Sequence, residues 1–325
     1  MKISYREALK RGLREVLINE KNSFLIGEDV GAYGGTYAVS QDFLKEFGAE
    51  KIMDAPLSEV GFTGLGIGAA LGGLKPIVEI MTVNFSLLAL DQIINSAAFM
   101  RYMSGGQITI PLVIRMTTGG GRQLAAQHSN SFEGWLAHIP GLKILVPATV
   151  EDARHMLRFA VNDPNPVLIF EHAMLFNIKD ECDEAVKDFN PYNATVRRTG
   201  KALTLISYGG MLPKCLQAVE EIYDAKTEIE VIDLRCLRPL DEKTIFQSIA
   251  KTHHVLIVDE GWKSGSLSAE ISARIMECCF SDLDFPVQRL CRKEVPMPYA
   301  KHMEEAAIPQ VKDIVRKLQE MLYEV

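Results

Sequence analysis

Between residues 4 and 19 the apolar positions recur at a helical period, with Ala8, Leu9, Leu13, Val16 and Leu17 on one face. Ser4 can cap this helix, and Glu7 three residues on completes a capping box. A short apolar run at 24–27 reads as a buried strand that ends in Glu28 and Asp29. A Gly/Tyr loop over 31–37, a short helix near 40–47 and a strand over 51–54 follow. The stretch 54–73 carries one carboxylate, Glu59, between Leu57 and Phe62, and then a helix crowded with Gly and Ala. Further strands are expected at 76–81, 111–116, 143–147 and 166–171. A long helix is expected over 85–103, with Leu88, Asp91, Gln92, Asn95 and Ser96 mixing polar groups into it. Another is expected over 150–162, with Thr149 as cap and Asp152 as its partner.

The stretch 180–192 is acidic, broken by Pro191 and without period, which is the pattern of a linker. Beyond it the alternation restarts, with strands at 202–208, 229–234, 255–259 and 287–290. Helices are expected at 213–225, 241–251, 265–279 and 309–322. Apolar strands alternating with helices predict an α/β fold of two domains, each a mostly parallel sheet covered on both faces. The expected division is a first domain over 1–180, a linker over 181–199 and a C-terminal α/β domain over 200–325.

A chain of 325 residues suits two such cores. Its net charge of −7 comes from 35 basic and 42 acidic residues, with no basic run, so nucleic acid and anionic membrane surfaces are excluded as partners. No apolar run approaches the roughly 20 residues that span a bilayer. The N-terminus enters an amphipathic pattern directly, with neither a signal-peptide apolar region nor an acid-poor transit composition. The expectation is a mature protein that starts here and is cytoplasmic. Cys182, Cys215, Cys236, Cys278, Cys279 and Cys291 form no Cys-x-x-Cys pair, and are expected to be reduced, buried thiols.

The glycine run at Gly64, Gly66 and Gly68 invites a dinucleotide-fingerprint reading, and with it an NAD-binding oxidoreductase. That fingerprint needs its glycines in the turn between strand and helix. Here nine residues separate the strand from Gly64, and the glycines fall inside the helix, so close helix packing is the better reading. Glu59 has two local readings. Wedged among Leu57, Val60 and Phe62 it is desolvated, its neutral form is favoured and it can share a proton. Facing solvent, it is an ordinary helix-N-terminal carboxylate. His128 follows the glycine loop 117–122 at the end of a strand, where ligand groups gather in open α/β sheets; a hydrogen-bonded structural histidine is the alternative. Phe85 and Met81 can line a flat heterocycle or simply fill the core. The turn at Ala160, Asp163 and Asn165 ends a helix, whose exposed carbonyls can hold a cation; a plain proline-stopped turn is the alternative.

Taken in order, several short motifs form a recognisable series. They are Gly27-Glu-Asp-Val30, Pro56-Leu-Ser-Glu59-Val-Gly-Phe62, Asn84-Phe-Ser86 and Asp91-Gln92-Ile-Ile-Asn95. Gln127-His-Ser129, Pro140-Gly-Leu-Lys143, Asp259-Glu-Gly-Trp262 and Val295-Pro-Met-Pro-Tyr-Ala300 follow. The series resembles the β subunits of thiamine-diphosphate-dependent 2-oxoacid dehydrogenases, of the pyruvate, branched-chain and acetoin kinds, over nearly the whole chain. The resemblance implies a transketolase-like pyrimidine-binding domain followed by a transketolase C-terminal-like domain, the latter serving assembly and acyltransferase contact. It implies that Glu59 binds the ring nitrogen of the cofactor's aminopyrimidine, that Phe85 stacks on that ring, and that Leu57 and Met81 form its apolar wall. Glu28 matches a position near the cofactor. His128 matches the histidine that assists acyl transfer to the lipoyl group. Leu112, Ala160, Asp163 and Asn165 match positions whose backbone carbonyls hold a potassium ion in some members.

The implied activity is oxidative decarboxylation of a small-molecule 2-oxoacid, pyruvate first, with transfer of the acyl group to lipoamide. One absence refines it. Thiamine enzymes hold the diphosphate and Mg²⁺ with a Gly-Asp-Gly segment, and none occurs in this sequence. The resemblance therefore implies half a site, completed by an α subunit that holds most of the Mg²⁺, in an assembly of two α and two β subunits, serving a lipoyl-bearing dihydrolipoamide acyltransferase. The β-type half of a split transketolase is the nearest rival; it needs sugar-phosphate contacts, and no basic cluster is present to make them. The run from Lys263 to Ser268 departs from the family, which is richer in glycine there.

Overall fold

The computed structural model describes residues 1–184, 186, 188–222 and 228–323. They gather into two compact units, Met1–Thr118 with Leu136–Pro191, and Gly119–Trp135 with Tyr192–Val325. The segment 119–135 thus clusters with the C-terminal residues, although the hydrophobic pattern places it inside the first domain.

The first part of the chain forms β1 (Lys2–Ser4), α1 (Tyr5–Asn19), β2 (Ser23–Gly27), α2 (Phe43–Phe47), β3 (Ile52–Asp54), α3 (Glu59–Leu71) and β4 (Lys75–Ile80). Then come α4 (Phe99–Met103), β5 (Val113–Thr118), α5 (Glu133–Ala137), β6 (Lys143–Leu145), α6 (Val150–Ala160), β7 (Val167–His172) and β8 (Lys179–Glu181). Six strands lie parallel in the order β6-β7-β5-β4-β2-β3. β1 and β8 pair antiparallel as a separate ribbon. The order reverses between β2 and β4, and in open α/β sheets ligands bind beyond the carboxyl ends of strands at such a switch point.

Local chemistry starts the helices where the sequence places them. The Ser4 hydroxyl accepts the Glu7 N–H at 3.2 Å, and the Thr149 hydroxyl accepts the Asp152 N–H at 3.1 Å. α1 buries Tyr5, Ala8, Leu9, Gly12, Leu13, Val16 and Leu17 and packs on α6. A Cβ at Gly12 would sit 2.7 Å from the Arg154 carbonyl, so the two helices touch through backbone. In α3 the close approach is at Gly66, where a Cβ would lie 2.6 Å from Val78 Cγ2 of β4. Gly68 faces open space among the described residues. Close packing therefore accounts for Gly66 and not for the whole run.

The helix expected over 85–103 is broken into a 3-10 helix (Val83–Ala89), a π turn (Gln92–Ala98) and α4. The Ser86 hydroxyl donates to the Val83 carbonyl at 2.7 Å, which competes with the helical ladder. Across β4, β5 and β7 runs an ion triad in which Arg115 and Glu171 are buried and Glu79 partly so. Arg115 donates to Glu79 through Nη1 at 2.8 Å and to both oxygens of Glu171 at 2.8 Å. Burial pushes the Glu171 carboxyl up, Arg115 opposing it.

The second part contributes β9 (Thr195–Arg198), β10 (Leu203–Ser207), α7 (Leu212–Glu221), β11 (Ile229–Asp233), β12 (Cys236–Arg238) and α8 (Glu242–Thr252). It continues with β13 (Val255–Trp262), α9 (Leu267–Cys279), β14 (Gln288–Arg292), α10 (Lys301–Ala307) and α11 (Val311–Tyr323). Its sheet runs β14-β13-β10-β11-β9, parallel except for β9, which lies antiparallel on β11 at the edge. β9 falls within 181–199, the segment expected to be linker. Four residues with two arginines give little strand signal; what fixes β9 is pairing with β11, aided by Arg197 on Asp233 at 2.8 Å. α10 has no counterpart among the expected helices. The thiols also differ from expectation: all six are free, but Cys278 is exposed and Cys291 half-buried. Among the described residues no single helix is long and apolar enough to cross a membrane; Val83–Ala89 with Gln92–Met103 pass that test only together, bent by 66°.

Candidate functional site

In the first unit three adjacent strands end at one edge, each handing the chain to a candidate residue. Glu28 follows β2, Glu59 follows β3 at the first position of α3, and Met81 and Phe85 follow β4. Asp54 at the end of β3 accepts the Gly31 and Ala32 N–H groups at 2.6 and 2.9 Å, tying that strand end to the loop after β2. Glu59 is only 6% exposed, which decides its two readings in favour of burial. Glu28 is buried as well. Burial first, then the charges of Glu59 and Asp29, hold the Glu28 carboxyl above the ordinary glutamate range. Its Oε1 is buried with no hydrogen-bond partner among the described residues.

Two buried carboxyls within electrostatic reach, one with an unanswered oxygen, fit a ligand that brings hydrogen-bonding nitrogen. Phe85 and Met81 are half-buried beside the same strand end. Leu57 precedes α3 and stands 86% exposed on this chain. The glycines of α3 lie inside the helix, not in a strand-to-helix turn, so the dinucleotide fingerprint has no structural counterpart here.

At the end of α6 the Ala160 carbonyl accepts the Asp163 N–H at 3.2 Å, and the Leu112 carbonyl accepts the Val167 N–H at 2.9 Å. Asp163 Oδ1 accepts both the backbone N–H and the side-chain amide of Asn165 at 3.0 Å, and Oδ2 pairs with Lys143. The Asp163 charge is thus already matched, so a cation here would rest on carbonyl dipoles.

In the second unit His128 closes a 3-10 turn (Ala126–His128) and is exposed. The loop before it is strained: Gln123 and Ala125 have φ of +58° and +62°. Buried charged groups hold it. Glu260 accepts the Gly120 N–H at 2.7 Å, and Glu304 accepts the Gly121 and Gln123 N–H groups at 2.9 Å each. Arg292 Nη1 donates to the Ser129 carbonyl at 2.8 Å. Sequence reasoning missed Glu260, Glu304 and Arg292 as site residues. Glu260 sits in a quoted motif; Glu304 and Arg292 have no local signal.

Residues 1–179 match the transketolase pyrimidine-binding domain, and residues 193–314 the transketolase C-terminal domain. The pyruvate dehydrogenase E1 component subunit β of Rhizobium meliloti (strain 1021) is 41% identical over 322 residues, covering 99% of this chain and 70% of that one. The mitochondrial subunit of Homo sapiens is 42% identical over 327 residues, covering 99% and 91%. That of Drosophila melanogaster is 44% identical over 318 residues, covering 96% and 87%. The chain belongs to the pyruvate dehydrogenase E1 β-subunit family.

A solved split-gene transketolase, described as an inactive β4 tetramer, superposes with a TM-score of 0.81, covering 98% of each chain. At 23% identity it shows the shared fold and no more. For an E1 β-type chain the two buried glutamates and the aromatic after β4 fall in the residues matched to the pyrimidine-binding domain. The NAD-binding oxidoreductase reading gives way to this family.

Proposed function

We propose that this chain supplies the pyrimidine half of a thiamine diphosphate site in a 2-oxoacid dehydrogenase. Its partner is an α subunit, in an assembly of two α and two β subunits. The observation that carries the proposal is the buried pair Glu59 and Glu28 at the carboxyl edge of β2 and β3, one oxygen of Glu28 having no partner among the described residues. Thiamine diphosphate, when bound, supplies the electron sink for loss of carbon dioxide. Glu59 holds a proton at a ring nitrogen of the aminopyrimidine, in a place closed to water. Phe85 offers its face to the ring, with Met81 and Leu57 as apolar wall. Glu28 lies close enough to Glu59 to bias where that proton rests. His128 serves as a proton-holding imidazole in acyl transfer to the lipoyl group of a dihydrolipoamide acyltransferase.

The same proposal leaves the diphosphate and most of the Mg²⁺ to the α subunit, in keeping with a sequence that carries no Gly-Asp-Gly segment. The domain over 1–180 carries the pyrimidine site, and that over 200–325 serves assembly and acyltransferase contact. Potassium belongs to the same proposal, held by the backbone carbonyls of Leu112, Ala160, Asp163 and Asn165, where the end of α6 presents carbonyls. So does a cytoplasmic location, in keeping with six free thiols. Pyruvate is the proposed substrate, as in the names of the relatives at 41–44% identity.

The test uses the chain alone and the chain joined to an E1 α chain, with thiamine diphosphate, Mg²⁺ and a panel of 2-oxoacids. The expected result is no turnover alone and turnover with α, fastest on pyruvate. Turnover without α, or tight stoichiometric NADH binding, would overturn the proposal. A faster branched-chain substrate would overturn the choice of pyruvate alone.

A further inference from the structure

The loop that carries His128 is braced from outside itself as well as from within. Gly119 and Gly121 have φ of +86° and +99°, and Gln123 and Ala125 follow in the left-handed region at +58° and +62°. An L-residue in that region drifts elsewhere unless its surroundings over-determine it. Between residues 119 and 129 the Gly119 N–H and the Ala126 carbonyl are answered by Asn130, and other backbone groups from the far end of the sequence. Glu304, only 2% exposed, places one carboxylate oxygen on the Gly121 N–H and the other on the Gln123 N–H, bracketing Arg122. Glu260 takes the neighbouring Gly120 N–H, and Arg292 takes the Ser129 carbonyl one residue past His128. Amide bonds to a buried carboxylate are charge-assisted and geometrically demanding.

We propose that Glu304 is a positioning residue for His128: by gripping two amides of one strained loop, its carboxylate fixes where the imidazole meets the lipoyl group. The proposal rests on the reading of His128 as the acyl-transfer histidine. Glu304 itself touches no substrate. Its influence passes through the Gly121 and Gln123 amides to the 3-10 turn that ends at His128. Misplacing a catalytic group by about 1 Å costs up to roughly 10²-fold in rate. The step that uses His128 is therefore sensitive to Glu304, and the step at the thiamine ring is not.

The experiment uses the chain assembled with its α partner, thiamine diphosphate and Mg²⁺, and compares the parent with Glu304→Gln, His128→Ala and the double variant. Gln keeps the size of Glu but sets an NH₂ against one of the two amides. Two rates are read from each preparation. One is reductive acylation of a lipoylated domain from the acyltransferase; the other is oxidation of the 2-oxoacid with ferricyanide, which bypasses the lipoyl group. Glu304→Gln is expected to lower the lipoyl-dependent rate about 10-fold or more and to keep the ferricyanide rate within about twofold. Adding it to His128→Ala is expected to cost nothing further. Amide exchange at Gly121 and Gln123 is expected to quicken, while exchange along β13 stays as in the parent. Equal loss of both rates in Glu304→Gln would reduce Glu304 to a structural group and overturn the proposal. So would an unchanged lipoyl-dependent rate in Glu304→Gln beside an impaired His128→Ala. An unchanged lipoyl-dependent rate in His128→Ala would instead sink the reading of His128.

Discussion

Replacing Glu28 by Gln should stabilise the isolated chain at neutral pH. Glu28 is 7% exposed, its Oε1 has no partner among the described residues, and it lies within reach of the charges of Glu59 and Asp29. A buried, unsatisfied polar group costs about 1–3 kcal/mol, and a charged one more. The substitution keeps the volume and the buried polar oxygen and removes only the charge, so the gain at pH 8 is the excess cost of a charged over a neutral buried group, about 1 kcal/mol. In a unit of this size each kcal/mol moves the melting temperature by about 2–4 °C. The sign with pH follows from the raised carboxyl. Below the ordinary glutamate value Glu28 is neutral in both folded and unfolded chain, and the two proteins match. As pH climbs from there through the raised folded value, the unfolded parent ionises first and the parent loses stability; the Gln variant has no such loss. Thermal melting of both chains at pH 4 and pH 8, without cofactor, reads the difference directly. A variant no more stable than the parent at pH 8, or a gap of the same size at both pH values, would refute the burial and repulsion assigned to Glu28.

The glycines of α3 should separate in a similar comparison. Gly68→Ala meets nothing within 4 Å among the described residues and should gain about 0.8–1.0 kcal/mol in helix propensity. Gly66→Ala forces a methyl to 2.6 Å from the stiff Val78 side chain and should cost about 1–3 kcal/mol of overpacking before that gain, with chemical denaturation as the measure. The thiols should differ in reactivity. Exposed Cys278 should react with an aromatic disulfide reagent in the native chain, while Cys215, buried and pushed up to about 12, should react only on unfolding, as counted by released thiolate.

What the sequence made legible was what local chemistry decides. α1 and α6 stand where Ser4 with Glu7 and Thr149 with Asp152 mark their starts, because a cap and an apolar face lie within a few residues of each other. The buried parallel strands were legible for the same reason, as short apolar runs between helices. β9 was not, since its four residues become a strand only by pairing with β11. Nor was the break in the helix over 85–103, where Ser86 turns its hydroxyl onto the Val83 carbonyl. At the site, Glu59 was legible as a candidate and undecided as to burial; the fold encloses it. Leu57, placed in the apolar wall by resemblance, stands exposed on this chain. The support of the His128 loop was illegible for a plain reason. Glu304 reaches Gly121 across 183 positions of sequence, and a carboxylate bound to distant amides leaves no period, spacing or motif.

The central claim is that Glu59 is the proton-holding group of half a thiamine site. The most direct measurement is pyruvate decarboxylation by the chain assembled with α, thiamine diphosphate and Mg²⁺, comparing the parent with Glu59→Gln. Loss of a general acid–base group costs about 10²–10⁴-fold, so a fall of at least about 100-fold is predicted with the assembly intact. Full decarboxylation by the Glu59→Gln assembly would contradict the account.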